Sequence, residues 1–349
     1  MAHRALLLLQ QLLLLLLLVR SVSSGGPSAL HRAAQSGDEA ATRRLLRRGA
    51  DANGRSSAGV LPLHVAAQEG RLGVVALLLA AGARVDETDA LDDNRPLHLA
   101  CARGHADVAR ALLSAGAAVD ARDSEQRTAL HVAAAFGHAP VAELLLRANA
   151  SVGARDSLDA YTPLHLAAQR GHSALIAQLL RAGAATEARD EDGETALHEA
   201  ALHGSAPAVA ALLAAGADVG AEGDRKRSPL HEAALYGRTA VARALLAAGA
   251  AVDAVDVDGR TALHQAAGWG HADVLAVLIE AGTAVDAADR NSYTALHYAA
   301  SRGSTAEVRV LLGAGANAGA KGTNGRSPRD IADGPAVRNL LLACSDELR

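Results

Sequence analysis

The residues with the most obvious chemical potential are fifteen histidines in a chain of 349 residues, since an imidazole can ligate a metal or carry a proton near neutral pH. Their spacing gives them a different character. Nine close a recurring tripeptide of Ala or Pro, then Leu, then His: His31, His64, His98, His131, His165, His198, His231, His264 and His297, at steps of 33 or 34 residues. Four more, His105, His138, His172 and His271, follow a glycine seven residues later, which leaves only His3 and His203 outside the pattern. Other reactive types are equally periodic. Ser and Thr fall mostly at candidate helix caps and turn tips, Cys101 at a small-residue position of a helix, and the carboxylates in turn-rich segments. The glycines mark helix ends and turns and form no phosphate cradle. No nucleophile, acid–base pair or cofactor motif is assembled, so the sequence predicts no enzyme activity, no catalytic residue and no cofactor.

The elements that would position these residues are short. In the fifth copy Thr162 supplies a capping hydroxyl, Pro163 suits a first helical turn, and a helix runs from there toward Gly171. A second helix, predicted from His172 to Arg181, carries Leu175, Ile176, Leu179 and Leu180 on one stripe and stops at Gly183. A loop rich in Asp and Gly follows, read as a β-turn or hairpin finger. Helices of two turns do not hold by themselves. Each module exposes Leu and Val that only its neighbour can cover, so stability belongs to the stack.

The pattern Thr-Pro-Leu-His-x-Ala-Ala-x-x-Gly-His resembles the ankyrin repeat, from Ser28 to near Ala343. The resemblance implies an all-α repeat solenoid of stacked helix–turn–helix units with β-hairpin fingers and a concave binding face. About nine full repeats and a C-terminal cap occupy residues 25–345. It also implies that the motif histidine bonds within its own turn and to the next repeat. A whole repeat then separates successive histidines, too far for shared coordination at about 2.0–2.1 Å, and no metal site is expected. Departures carry information. Leu61 and Arg95 stand where a hydroxyl would cap, which predicts less secure first helices there. The two 34-residue steps place an extra residue in a finger. Asn53 looks like the finger asparagine that is hydroxylated in some ankyrin proteins, and its ordinary reading is a turn residue. In the tenth unit Arg329-Asp330 replaces Leu-His, as suits a solvent-facing cap.

Composition supports an interaction protein. Half of the residues are hydrophobic but only 2% are aromatic, so the core must be thin layers of Ala, Leu and Val. A net charge of −4 argues against binding to a phosphate backbone, and no nucleic-acid partner is expected. The six aromatics fall in few slots. Phe136, Tyr236 and Trp269 share the position five residues after the histidine; Arg103, Arg170, His203 and Arg302 hold it in other copies. Tyr161 and Tyr293 end two fingers, and Glu199, Glu232 and Tyr298 directly follow a motif histidine. These twelve residues are the expected partner-binding set, with a protein of unidentified kind as partner, because large rigid side chains are the usual interface anchors. The function that follows is a non-catalytic scaffold. The alternatives are a targeting or regulatory adaptor and a secreted or lumenal repeat protein.

The termini bear on location. Residues 1–24 read as a signal peptide or hydrophobic leader: Arg4 precedes a Leu-rich run over residues 5–19, and Ser23 and Ser24 offer cleavage points. A retained signal-anchor and a plain Leu tract in a cytoplasmic protein are the alternatives. No membrane span is expected once the leader is removed. Two cysteines, Cys101 and Cys344, define no disulfide framework. Asn149-Ala150-Ser151 is a glycosylation sequon, though Asn149 also stands where other units carry the helix-stopping glycine. Residues 346–349 form a short tail. Oligomeric state is not encoded in any of these features.

Overall fold

A computed structural model of the chain describes residues 28–346, with side chains to residue 343. The leader and the last three residues lie outside the described residues. Twenty α-helices are present among them, with no strand. They divide into two compact units, one of residues up to Ala167 with Arg181–Ala184, the other of Ala168–Leu180 with residues from Ala185 onward.

In the first unit the inner helices are α1 (Ala29–Ser36), α3 (Pro62–Gln68), α5 (Pro96–Arg103) and α7 (Ala129–Phe136). The outer helices are α2 (Glu39–Arg47), α4 (Leu72–Ala80), α6 (Ala106–Ser114) and α8 (Ala139–Arg147). Inner packs on inner and outer on outer, one repeat to the next. The chain then runs through α9 (Pro163–Gln169) and α10 (Ser173–Arg181). In the second unit α11 (Ala196–His203), α13 (Pro229–Leu235), α15 (Ala262–Trp269), α17 (Ala295–Arg302) and α19 (Pro328–Ile331) form the inner layer. The outer layer is α12 (Ala206–Ala214), α14 (Thr239–Ala247), α16 (Ala272–Glu280), α18 (Thr305–Gly313) and α20 (Pro335–Asp346). The boundaries fall close to those the sequence predicts; α10 starts at Ser173, one residue after His172.

The core is the expected thin layer. Leu63, Leu78, Leu112, Leu130, Leu145, Leu197 and Leu212 are fully buried. Every fully buried aliphatic side chain contributes about 1.5–3 kcal/mol, and none of these would be covered in an isolated repeat.

The fingers are tight turns without strand pairing. A backbone bond closes each across its base, such as Asp123 N–H to Arg127 O at 3.0 Å or Asp190 N–H to Glu194 O at 3.0 Å. In two fingers the closing pair is one residue wider, Asp89 to Asn94 and Asp156 to Tyr161, and these are the fingers inside the 34-residue steps. The residue before the closing one is left-handed in these wider fingers, Asp93 (φ 54°) and Ala160 (φ 56°), as it is in the narrower ones at Gln126 (φ 61°) and Gly193 (φ 77°). Neighbouring fingers share a backbone bond, as from Ser124 N–H to Asp92 O or Arg290 N–H to Asp258 O, and no strand is assigned to them among the described residues.

Candidate functional site

Two ladders of side chains set the register in each unit. In the first, a motif histidine accepts the backbone N–H of the cap residue on Nδ1, as from Thr128 to His131 at 3.1 Å and from Thr195 to His198 at 3.1 Å. That bond fixes the proton on Nε2, which donates to a carbonyl of the next finger. His131 reaches Tyr161 O at 3.0 Å, His231 reaches Arg260 O at 3.0 Å, and His264 reaches Tyr293 O at 3.0 Å. Burial pushes the pKa of His64 and His131 down to about 4 and lowers those of His98, His198, His231 and His264. The rings are therefore neutral girders, not proton carriers. Leu61 and Arg95 keep the backbone bond to Nδ1, at 3.4 and 3.1 Å, and lack only the hydroxyl. Arg95 adds a bond of its own, to Arg122 O. In the last unit Asp330 replaces histidine and its Oδ2 accepts both N–H and O–H of Ser327 at 2.8 Å.

The second ladder runs backward. His105, His138 and His271 start outer helices and donate from Nε2 to Gln68 O, Ala102 O and Leu235 O of the preceding repeat, each at 3.1 Å. The helix-ending glycines make room for these rings. A Cβ on Gly104 (φ 75°) would lie 2.6 Å from His138 Nδ1, so any other residue would lose both the left-handed turn and the contact. Histidine is thus used as a fastener, and at two seams Arg71 and Arg238 take the backward role, donating to Gln35 O and Leu202 O. Among the described residues no group of three His, Cys, Asp or Glu side chains could hold a metal. Cys101 is buried, and burial pushes its thiol pKa up, so it has no thiolate character. Asn53 is a turn residue that accepts Arg84 N–H at 2.8 Å and donates to Gly82 O at 3.0 Å.

The position after the motif histidine differs between the units. In the first it holds Val65, Leu99, Val132 and Leu166, all buried; in the second it holds Glu199, Glu232, Gln265 and Tyr298. Each of these polar side chains has a partner beneath the surface. Glu199 takes Gln169 Nε2 at 3.3 Å and lies 3.6 Å from His203 Nε2. Glu232 pairs with Arg227 Nε at 3.0 Å, and the same guanidinium lies 4.0 Å from Glu194. Gln265 donates to Asp256 at 3.2 Å. Tyr298 donates to Asp289 at 2.7 Å and accepts from Arg260 Nε at 3.0 Å, with that guanidinium 5.3 Å from its ring centre. Burial, followed by the Asp289 contact, pushes the Tyr298 phenol up to about 12.

These contacts correct part of the expected binding set. Glu199 and Glu232 are 2% and 0% exposed, and Tyr161 is 8% exposed with its ring stacked on His165 at 5.5 Å. A partner cannot touch them directly. Slot register gives the direction of a side chain from the helix, whereas depth depends on its neighbours, here Arg227, Gln169 and the flat face of His165. The slot five after the histidine stays accessible. Trp269 is 40% exposed, Arg103 and Arg302 are exposed, and Phe136, Arg170, His203 and Tyr236 are half-buried. Phe136 stacks on His138 at 6.1 Å, and Arg302 Nη1 donates to Gly268 O at 3.2 Å. Tyr293 is half-buried, stacked on His297 at 4.8 Å, and its hydroxyl accepts from Asn324 at 2.8 Å. Sequence reasoning missed Gln169, Glu194, Arg227 and Arg260, which hold the polar layer. For three of them the signal was a charged residue ending the finger of a repeat whose histidine is followed by Glu or Gln: Glu194 before Glu199, Arg227 before Glu232 and Arg260 before Gln265.

Fold and register together define a stack of ankyrin units, and the comparisons agree. A profile described as Ankyrin repeats (3 copies) matches residues 3–89, 85–156, 150–223 and 220–289, and one described as Ankyrin repeats (many copies) matches residues 278–332. The chain belongs to the ankyrin-repeat family. Similar solved structures include the human ASB11 ankyrin repeat domain, 30% identical with a TM-score of 0.58, and the ankyrin repeat domain of Bcl-3, 30% identical with a TM-score of 0.56. Each similarity covers 62% of this chain and 98% of the other. No curated protein matches the chain. Ankyrin repeats mediate protein–protein interactions, so proteins are the class of partner that the family implies.

Proposed function

We propose that the chain is a non-catalytic scaffold that binds a protein partner along the face bearing the slot five residues after each motif histidine. One observation carries this reading: in that slot no side chain is buried, and the residues are graded in type. In the second unit they run Arg170, His203, Tyr236, Trp269, Arg302, over a layer in which Glu199, Glu232 and Tyr298 each contact a charged or polar side chain. A rigid polar floor under accessible aromatics is the arrangement of an interface anchor, since side chains held in place lose little entropy on binding. The experiment is quantitative affinity capture with wild type and a Tyr236→Ala/Trp269→Ala variant of unchanged melting temperature. Loss of two anchors of about 2 kcal/mol each weakens a groove-dependent partner by about 1000-fold, whereas equal recovery of every partner removes this face from consideration.

A lumenal or secreted setting is favoured by the basic start and Leu-rich run of residues 5–19. Mass spectrometry of the mature N-terminus decides it, because a chain beginning at Met1 or Ala2 excludes cleavage of the leader.

A further inference from the structure

Three fingers are clipped to the following finger by an arginine in one register. Arg55 Nη1 donates to Gly59 O of its own finger at 2.7 Å and to Thr88 O of the next at 2.9 Å. Arg122 does the same with Gln126 O at 3.1 Å and Arg155 O at 2.9 Å, and Arg189 with Gly193 O and Glu222 O, both at 2.6 Å. The acceptors are always four and 33 residues further on. In the second unit this register continues at Glu222 and then Val255. A carboxylate has no proton to donate. The matching carbonyls, those of Lys226 and Val255, take no side-chain donor from any described residue. At this point a cleft opens between the two fingers, lined by Glu222, Lys226, Ser228, Val255, Asp256 and Arg290, with Val255 52% exposed.

We propose that this cleft binds an arginine side chain presented by the protein partner, whose guanidinium bridges the Lys226 and Val255 carbonyls as the chain's own arginines bridge the other fingers. The proposal rests on the scaffold reading and specifies one element of the partner. The chemistry follows from the fork. A guanidinium offers five donors in a plane, enough for both carbonyls and for the Glu222 carboxylate at once, while an ammonium on a flexible stem does not span two fixed acceptors in the same way. Val255 supplies an apolar wall for the methylene stem. Lys226 and Arg290 in the lining balance Glu222 and Asp256, so long-range attraction is small. Selection comes from hydrogen-bond geometry, which favours arginine over lysine.

The probe is N-acetyl-arginine methylamide, titrated into the full chain carrying valine methyl labels, with the citrulline and lysine analogues as controls. The expected result is movement of the Val255 methyl resonances by the arginine compound, with the controls at least about 10-fold weaker, the ratio that 1.4 kcal/mol provides. Glu222→Arg rebuilds the chain's own clip, so it raises the melting temperature and abolishes the movement; Glu222→Ala keeps the fold and weakens the response. Silence of Val255 toward arginine, an equal response to lysine, or an E222R protein that binds arginine as wild type does would each overturn the proposal. Partner capture that is lost in the Tyr236/Trp269 variant but unaffected by E222R overturns the arginine cleft alone. Arginine binding without any partner that depends on Tyr236 and Trp269 overturns the scaffold reading alone.

Discussion

Asp156→Asn should stabilise the protein more at pH 8 than at pH 5. Asp156 is 7% exposed, and its Oδ1 accepts the N–H groups of Tyr161 at 2.9 Å and Asp159 at 3.3 Å. Burial outweighs those two bonds and raises its pKa from 3.8 to about 6. The equivalent Asp123 has Arg127 Nε at 2.8 Å, whereas the residue ending the Asp156 finger is Tyr161, which brings no charge. A carboxyl whose folded pKa lies above its unfolded value favours folding below the unfolded pKa, and the benefit disappears as pH rises through about 6. At pH 8 wild type has lost it; at pH 5 the folded carboxyl is mostly protonated and the unfolded one is not. Integrating the proton linkage between the two pH values gives about 1.4 kcal/mol. Asparagine keeps an acceptor oxygen and does not titrate, so its stability relative to wild type should differ by that amount between the two conditions. The buried histidines work in the opposite sense. With His64 and His131 at about 4, both proteins lose stability as pH falls below 6.5, but the loss is common to both and cancels. Urea unfolding of the two proteins at each pH measures the difference of differences. Identical values at pH 8 and pH 5, or a larger advantage for asparagine at pH 5, would show that burial does not control this carboxyl.

Two further substitutions probe the same logic. Arg227→Gln leaves Glu232, which is fully buried, without its ion pair at 3.0 Å and should cost about 3–5 kcal/mol in urea unfolding; a change under 1 kcal/mol would mean the pair is dispensable. Asn149→Ala places a methyl side chain at φ 62° and should lower stability by about 1–2 kcal/mol, while Asn149→Gly should not, again by urea unfolding.

The sequence made the architecture legible because both ladders write themselves into residue type. A histidine that must reach the next finger tolerates no substitute of other length, and a glycine under an adjacent imidazole tolerates no side chain, so His131, Gly104 and His138 recur with their neighbours at fixed spacing. The two long steps were readable for the same reason, and the wider turns at Asp89 and Asp156 are their outcome. The candidate site was less legible. Trp269 and Arg302 were placed correctly at the surface, since their slot lies at the end of an inner helix where nothing packs over it. Glu199, Glu232 and Tyr161 were not, because burial of a carboxylate or ring depends on its contacts, Arg227 for Glu232, Gln169 for Glu199 and His165 for Tyr161. Pairwise compensation of this kind has no fixed interval.

At three seams the forward bond from one histidine meets the backward bond from another, at two more Arg71 and Arg238 supply the backward bond, and all use main-chain oxygens as acceptors. A main-chain oxygen is present whatever the residue. Excising or duplicating one 33-residue block therefore leaves these main-chain fasteners an acceptor at each cut edge, and only side-chain pairs that cross a seam, such as Gln169 with Glu199 and Arg260 with Tyr298, need a compensating substitution. Specificity for a partner can then be rewritten in the fingers while the joints stay as they are.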